Sequence, residues 1–250
     1  MSDHQLPILY QDDHYIAINK PAGLLVHPTL IDKHEKETAV GLLQEQTGKK
    51  PLIIHRLDKP TSGILILAWH KDAARNGMEA FARSDVKKVY LAIVRGFTED
   101  SGTIKTKLPP VADKLLDSKQ PTGKKSKSAV TGYRTLGKYE FPVFISRHPQ
   151  SRYSLVEVHP ITGRMHQIRR HLKHIRHPII GDTKYGDHKH NKYFRENLAC
   201  RRLLLSAVEL TFFHPYTREH LKITAALDTT FLSMIERFGW KDSLPTSWLS

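Results

Sequence analysis

The sequence predicts an α+β fold built on a mixed sheet. Segments with strand character outnumber helical ones, and the two kinds do not alternate regularly, as they would in a doubly wound fold. Hydrophobic residues make up 39% of the 250-residue chain and charged residues 26%, a balance typical of globular proteins. Length alone allows one large domain or two small ones, and a chain of this size can bury about three quarters of its unfolded surface.

The N-terminal part of the chain predicts three strands and a helix. Short strands are expected at Ile8–Tyr10 and Tyr15–Asn19, on either side of a polar turn. The continuous apolar run Ile64–Ala68 follows Gly63 and is typical of a strand buried on both faces. A helix is expected over residues 71–84, where apolar side chains recur at helical spacing at Ala74, Met78, Phe81 and Ala82.

The C-terminal part predicts further strands, a polar excursion and two helices. Strands are expected at Val89–Val94, Tyr153–Val158, Leu203–Phe213 and Leu221–Ala226. Residues 102–127 are polar and rich in proline and lysine, which favours a long surface excursion that could separate two subdomains. One helix is expected to have Thr162 as its N-cap and to bury Met165, Ile168, Leu172 and Ile175. A second helix is expected to begin after the N-cap Asp228 and to end at Gly239.

The chain is strongly basic, with 39 Lys and Arg against 25 Asp and Glu and a formal net charge of +14. Such an excess attracts polyanions, of which nucleic acid is the commonest soluble kind, although a basic protein without such a partner is the alternative. The single cysteine, Cys200, excludes an intramolecular disulfide and is expected to be structural. The first ten residues lack the pattern of a signal peptide, and no apolar run approaches the ~20 residues that span a bilayer. We therefore expect a cytoplasmic monomer without a membrane partner.

A polar loop between two apolar runs is the strongest candidate for chemistry. Residues Pro51–Ile54 lead into it and Ile64 leads out of it, while Pro60 and Gly63 restrict its course. Asp58, held on such a loop, is expected to be partly desolvated and rigidly aimed, which suits a nucleophile or a general base. An arginine nearby would keep the carboxylate ionised. A turn in which Asp58 only accepts backbone hydrogen bonds is the equally weighted alternative.

Four motifs follow one another along the chain. Their segments, in chain order, are Asn19–His27, His55–Asp58 with Thr61–Gly63, Lys88–Gly96, and Thr162–Arg169 with the following His177–Asp182. Together they resemble the motifs of the RluA-type pseudouridine synthases. The resemblance runs from about Leu9 to Trp240. One such motif would be weak evidence, whereas four in order are strong evidence.

The resemblance implies a fold and a domain organisation. The family's fold is a curved, mostly antiparallel mixed sheet in two subdomains with a central catalytic cleft. We therefore expect one catalytic domain over residues 1–250, with a core of about residues 9–240 and no N-terminal S4-like domain. The resemblance also implies that no metal, nucleotide or redox cofactor is used.

The resemblance also implies residue roles. Asp58 would be the catalytic aspartate that acts on the target uridine, and Arg169 would form the ion pair that orients it. Tyr90 would stack on the flipped base and could help to remove its C5 proton. Arg56 would enter the RNA stack that the flipped nucleotide leaves, and His55 and Arg164 are expected to contact substrate as well.

Base extrusion supports these roles independently, because a uracil that must leave and rejoin its ribose needs a pocket with a stacking face. Tyr90, in a predicted strand, can supply that face, although an ordinary core aromatic is the alternative. Arg169 lies at the margin of the apolar face of its predicted helix, where its guanidinium could reach a buried carboxylate. A solvated helix charge is the alternative for Arg169.

Two further groups of residues invite other interpretations. The lysine-rich segment 119–127 includes Lys124 and Lys125 and could clamp an RNA backbone, with a solvated loop as an equal alternative. A metal site is disfavoured at the clustered His166, His171, His174 and His177, because Lys and Arg surround them and no carboxylate or thiol stands at ligand spacing. These histidines are expected to contact RNA phosphates or to make other polar contacts.

A non-catalytic RNA-binding module would explain the charge, but it would not require Asp58, Tyr90 and Arg169 to converge in one cleft.

The substrate is expected to be RNA, and transfer RNA is favoured. Segments around the catalytic motif, at 152–157, at 169–178 and at Gly186–Asn191 look like those of family members that act on transfer RNA. That similarity implies uridine 65 in the T stem as the target. A ribosomal or dual-specificity synthase is the alternative, because the shared motifs do not distinguish the two substrates.

Overall fold

The computed structural model describes residues 5–27, 37–83, 85–111, 125–146 and 149–250. In the described residues the strands are β1 (Ile8–Gln11), β2 (Tyr15–Lys20), β3 (Leu52–Ile53), β4 (Ser62–Ala68), β5 (Lys87–Arg95), β6 (Ser101–Leu108), β7 (Lys127–Phe141), β8 (Ser151–Pro160), β9 (Leu205–Phe213) and β10 (His220–Thr224). The helices are α1 (Ala39–Thr47), α2 (Lys71–Arg83), α3 (Gln167–His174), α4 (His188–Asn197) and α5 (Thr229–Arg237), followed by two short 3₁₀ turns, Lys241–Ser243 and Thr246–Trp248. None of the helices in this part of the chain is long and apolar enough to cross a bilayer.

The described strands form one mixed, mostly antiparallel sheet, which confirms the predicted fold class. Its main order is β1-β2-β4-β9-β5-β8-β7-β6, with β3 paired to β4 and β10 to β9. Among these pairs only β4 and β9 run parallel, through Ser62–Ser206 and Gly63–Ala207. This parallel seam joins the N-terminal strands to the C-terminal ones.

The N-terminal half of the sheet is covered on both faces. All seven residues of β4 are buried, as the unbroken apolar run predicts. One face packs under α2, with Ile64 and Ile66 in the cluster, and the other under α1, with Leu65 and Leu67. α1 begins after the N-cap Thr38, whose hydroxyl accepts from the Gly41 N–H. Burial on both faces makes β4 a rigid support for the loop that precedes it.

The C-terminal half is also covered on both faces, around β5 and β8. Alternate residues of β5 point to the two sides, so that Leu91 and Ile93 pack against α5 while Ala92 and Val94 pack against α3. α5 begins after Asp228, whose carboxylate accepts from the Phe231 N–H, as predicted.

Four predictions about secondary structure need correction or addition. α3 begins at Gln167 after His166 rather than after Thr162, because the Thr162 hydroxyl accepts from Val130 N–H and donates to the Gln167 side chain instead. The polar excursion predicted from residue 102 begins only after β6, whose alternate side chains are exposed. Its residues 112–124 lie outside the described residues. Met165, which the sequence placed on the buried face of the α3 helix, precedes that helix and is 38% exposed, and the elements α1, α4, β6 and β7 were not predicted.

Candidate active site

The loop that carries Asp58 is held where the two halves of the sheet meet. It leaves β3 and enters β4, and a turn in which the Thr61 N–H donates to the Asp58 carbonyl closes it. Gly63, at the start of β4, has φ +102°, and a Cβ there would lie 2.1 Å from the Ala207 carbonyl oxygen on β9. The turn therefore depends on a glycine at this seam. Asp58 emerges with its side chain 24% exposed, which fits the partly desolvated loop carboxylate that the sequence predicts.

Arg169 lies between two carboxylates. Its Nη1 donates to Asp58 Oδ2 at 3.0 Å, and its Nε and Nη2 donate to the two oxygens of Asp182, each at 2.8 Å. The Arg169 side chain is only 5% exposed. The bidentate pair with Asp182 orients the guanidinium fork and leaves Nη1 free to donate to Asp58. Arg169 is therefore not a solvated helix charge, and we call Asp58, Arg169 and Asp182 the carboxylate clamp.

Asp182 is the residue of this arrangement to which sequence reasoning assigned no role. Its Oδ1 also accepts from the N–H groups of Lys184 and Tyr185, each at 2.9 Å. Burial by itself would raise the pKa of Asp182, but the hydrogen bonds and charge of Arg169 and these two N–H groups hold it below its ordinary value. Asp182 ends the last of the matching motifs, so its place after Gly181 was visible in the sequence while its partner was not.

A cavity of about 500 Å³ opens in front of the clamp. Its walls include Arg56, Asp58, Tyr90, Arg164, His166 and Arg169. Tyr90 reaches the cavity from β5, and burial together with the charge of Asp58 raises its pKa, so the phenol is neutral at physiological pH. The three residues whose convergence distinguishes a catalytic site from a simple binding surface, Asp58, Tyr90 and Arg169, thus share one cavity.

His166, in the cavity wall, lies beside Asp58 and contacts Tyr185. The His166 Nε2 lies 3.9 Å from Asp58 Oδ1, and its Nδ1 is 3.0 Å from the Tyr185 hydroxyl. His166 has φ +54°, an uncommon left-handed conformation for a residue with a side chain. Burial lowers the pKa of His166 despite the charge of Asp58, so the ring is mainly neutral at pH 7.

His55 lines the cavity as a neutral structural ring. It stacks on Phe81 with centroids 4.3 Å apart, and its Nε2 accepts from the Ile66 N–H at 3.1 Å. Burial and the nearby Lys88 lower the pKa of His55 to about 3. These contacts tie the loop to β4 and α2, and the substrate contact that the sequence predicts for His55 stays a prediction.

Lys20 is hydrogen-bonded to the loop that carries Asp58, and the sequence predicted no role for it. Its buried ammonium donates to the carbonyls of Pro21 and Leu24, each at 2.9 Å, and to that of Lys59 at 3.2 Å. Burial and the charge of Arg202 lower the pKa of Lys20 to about 7, despite the charge of Asp58. One side chain thereby joins the first matching segment to the residue next to Asp58.

The remaining candidates lie at the rim of the cavity or away from it. Arg56 and Arg164 are exposed on its wall, and the Arg164 Nε donates to the Ser128 carbonyl. Lys125 is exposed and does not line the cavity, while Lys124 lies outside the described residues. Cys200 is buried, and burial raises the pKa of its thiol.

The clustered histidines do not converge on one point. His171 is buried between the hydroxyls of Thr131 and Thr106, at 2.8 and 3.2 Å, and His177 contacts the Arg95 carbonyl. Within the described ranges, no group of three or more His, Cys, Asp or Glu residues could hold a metal ion. His171 and His177 therefore make structural polar contacts, one of the two expectations from the sequence.

Comparisons with known proteins agree with this geometry. A tRNA pseudouridine synthase C of Vibrio cholerae is 45% identical over 239 residues, covering 96% of this chain and 98% of that protein. One of Haemophilus ducreyi is 46% identical over 237 residues, covering 94% and 97%. The solved structure of human RNA pseudouridylate synthase domain containing 4 matches with a TM-score of 0.69 and 28% identity, over 93% of each chain. Residues 14–174 match the RNA pseudouridylate synthase family, and the chain belongs to that family of isomerases.

Proposed function

We propose that this pseudouridine synthase acts on transfer RNA, at uridine 65 of the T stem, with Asp58 as its catalytic carboxylate. The observation that carries the catalytic part is the carboxylate clamp facing a cavity walled by Tyr90. The substrate part rests on relatives that are named tRNA pseudouridine synthase C and are about 45% identical over nearly their full length.

The clamp suits a carboxylate that must be held in one direction. Arg169 holds one oxygen of Asp58 through a charge-assisted hydrogen bond, which is stronger than a hydrogen bond between neutral groups. The other oxygen, Oδ1, faces His166, whose Nε2 lies 3.9 Å away and is too distant for a hydrogen bond. That oxygen is available to attack C1′ of the ribose or C6 of the uracil, or to take the C2′ proton.

Tyr90 suits a flipped base. Its ring can stack on a uracil that has left the helix, and its neutral hydroxyl can donate a hydrogen bond. Arg56 and Arg164, exposed on the cavity wall, attract the RNA backbone. Arg56 can also enter the space that the flipped nucleotide leaves in the RNA stack.

Two experiments test the two parts separately. The first maps pseudouridine in total RNA from cells that lack the gene. We expect loss at a T-stem position of a few transfer RNAs, with ribosomal RNA unchanged; a missing ribosomal site with transfer RNA intact would overturn the substrate but not the reaction.

The second experiment compares Asp58→Asn and Asp58→Ala with the wild-type protein on a transfer RNA transcript. We expect no pseudouridine formation, with RNA affinity within a few fold of wild type. Substantial turnover by purified Asp58→Ala would refute the role of Asp58. Isotope labelling and trapping with fluorinated uridine would separate the three routes open to the carboxylate.

A further inference from the structure

Lys88 is a cationic side chain that lines the cavity and has no ion-pair partner among the described residues. It precedes Tyr90 by two residues on β5, and both side chains line the cavity. In the described parts of the chain Lys88 makes no ion pair or hydrogen bond. Its ammonium lies 5.7 Å from the centroid of the Phe81 ring, the ring on which His55 stacks.

The surroundings of Lys88 explain why this lack of a partner is unfavourable. Burial lowers the pKa of Lys88, which means that the charged form is poorly solvated where it stands. The adjacent His55 is neutral and its Nε2 already accepts from the Ile66 N–H, so it cannot compensate the charge. A half-buried ammonium without a carboxylate or a carbonyl oxygen is expected to gain more from an anion than an exposed lysine would.

The charges of the cavity point to the same kind of ligand. Among its described lining residues Asp58 is the sole carboxylate, and Arg169 already holds it. Lys88 and the rim residues Arg56 and Arg164 are the remaining cations, and no acidic side chain of the cavity is left to pair with them. An anion that enters beside Tyr90 therefore meets a net positive wall.

We propose that Lys88 binds a non-bridging oxygen of a phosphate adjoining the target uridine while the base stacks on Tyr90. This inference rests on the proposed function, because it places RNA in the cavity. A nucleotide whose base enters the cavity must bring a neighbouring phosphate close to the mouth, where a cation on the same strand face as the stacking ring is correctly placed. Lys88 is thus a substrate-binding residue for one phosphate rather than part of a diffuse basic surface.

Lys87 provides a matched control. It carries the same charge on the same strand, is exposed, and does not line the cavity. The test measures the affinity of Lys88→Met and Lys87→Met for a synthetic T-arm hairpin, in an Asp58→Asn background that prevents turnover. Wild-type protein is first shown to form pseudouridine in that hairpin. If it does not, the proposed substrate fails, and the comparison moves to the RNA that the gene-deletion mapping identifies.

We expect Lys88→Met to weaken binding about tenfold, or about 1.4 kcal/mol, because it removes one hydrogen bond to a charged group. For this variant, the slope of log K against the logarithm of the salt concentration should become shallower by about 0.7–0.9, the value for one phosphate contact. Lys87→Met should stay within twofold of the parent in affinity. Thermal unfolding should show that Lys88→Met is as stable as the parent or more stable, because it removes a poorly solvated charge.

Hairpins that each carry one neutral methylphosphonate then locate the contact. On the hairpin whose phosphate beside the target uridine is neutral, the parent protein, which retains Lys88, should bind no more tightly than the Lys88→Met variant. Equal losses for the substitutions at Lys87 and Lys88 would overturn the proposal. So would a tenfold Lys88→Met effect that persists on every methylphosphonate hairpin.

Discussion

Replacement of Asp182 by asparagine tests the carboxylate clamp. The substitution keeps the size of the side chain, but it removes the charge and places an amide NH₂ where an oxygen accepts from Arg169. Four hydrogen bonds converge on this carboxylate, two from Arg169 and two from the N–H groups of Lys184 and Tyr185. Because the side chains of Asp182 and Arg169 are only 1% and 5% exposed, water cannot take over these contacts.

The structure sets the size of the expected effect. Removal of one partner of a buried ion pair costs about 3–5 kcal/mol, and Asp58 remains as a second carboxylate, so we expect about 3 kcal/mol. For a chain of this length that loss lowers Tm by roughly 6–12 °C. Arg169, no longer held by the fork, can turn toward Asp58, so the single-turnover rate should fall at least tenfold while RNA affinity changes little.

The pH dependence of stability gives an independent test of the ion pair between Asp182 and Arg169. The pKa of Asp182 is lowered in the folded protein, so its stabilisation is complete above the unfolded pKa and is lost as the pH falls through the folded value. The difference in unfolding free energy between wild type and Asp182→Asn should therefore be full at pH 7 and shrink below about pH 4.

Thermal unfolding from pH 3 to pH 7 and single-turnover pseudouridine formation are the assays. Glu140→Gln is the control, because the pair of Glu140 with Arg152 is largely exposed and is expected to contribute at most about 1 kcal/mol. Wild-type stability and rate in Asp182→Asn, or a stability difference that persists unchanged to pH 3, would refute the reasoning.

The remaining predictions concern Arg169, Tyr90 and the exposed lysines. Arg169→Ala should lower the single-turnover rate by orders of magnitude, and Arg169→Lys should restore it only partly because an ammonium lacks the fork; a near wild-type rate for Arg169→Ala would contradict the clamp. Tyr90→Phe should keep RNA affinity within a few fold, whereas Tyr90→Leu should weaken binding by about 1–3 kcal/mol in a titration, and equal affinities would argue against stacking. Neutralising Lys125 and Lys127 together should flatten the salt slope by up to about 1.4–1.8 if both touch phosphates, and an unchanged slope would assign them to solvent.

Local patterns were sufficient to predict several elements and the residues that carry chemistry. The apolar run of β4 predicts a strand buried on both faces because the run is short, rich in isoleucine and leucine and preceded by Gly63. Asp228 predicts the start of α5 because its carboxylate can satisfy an N–H of the first turn. Thr162 misled the prediction of α3, since its hydroxyl bonds to β7 and to Gln167, contacts that no local pattern reveals.

By itself the sequence determined the mixed α+β class, the loop aspartate, and, through the order of its motifs, the family. Beyond the Asp58–Arg169 pair that the resemblance implied, only the tertiary structure decided which charges meet. Asp58 and Arg169 are 111 residues apart in the chain, and the Lys20 ammonium reaches a carbonyl 39 residues away. The Asp58–Arg169 pair depends on how the two halves of the sheet join at the β4–β9 seam, and the Lys20 contact depends on the register of β2 against β4. A one-residue slip in either register would turn the side chains to the other face of the sheet. The second partner of Arg169, Asp182, and the unpaired charge of Lys88 were therefore not visible until the strands were in register.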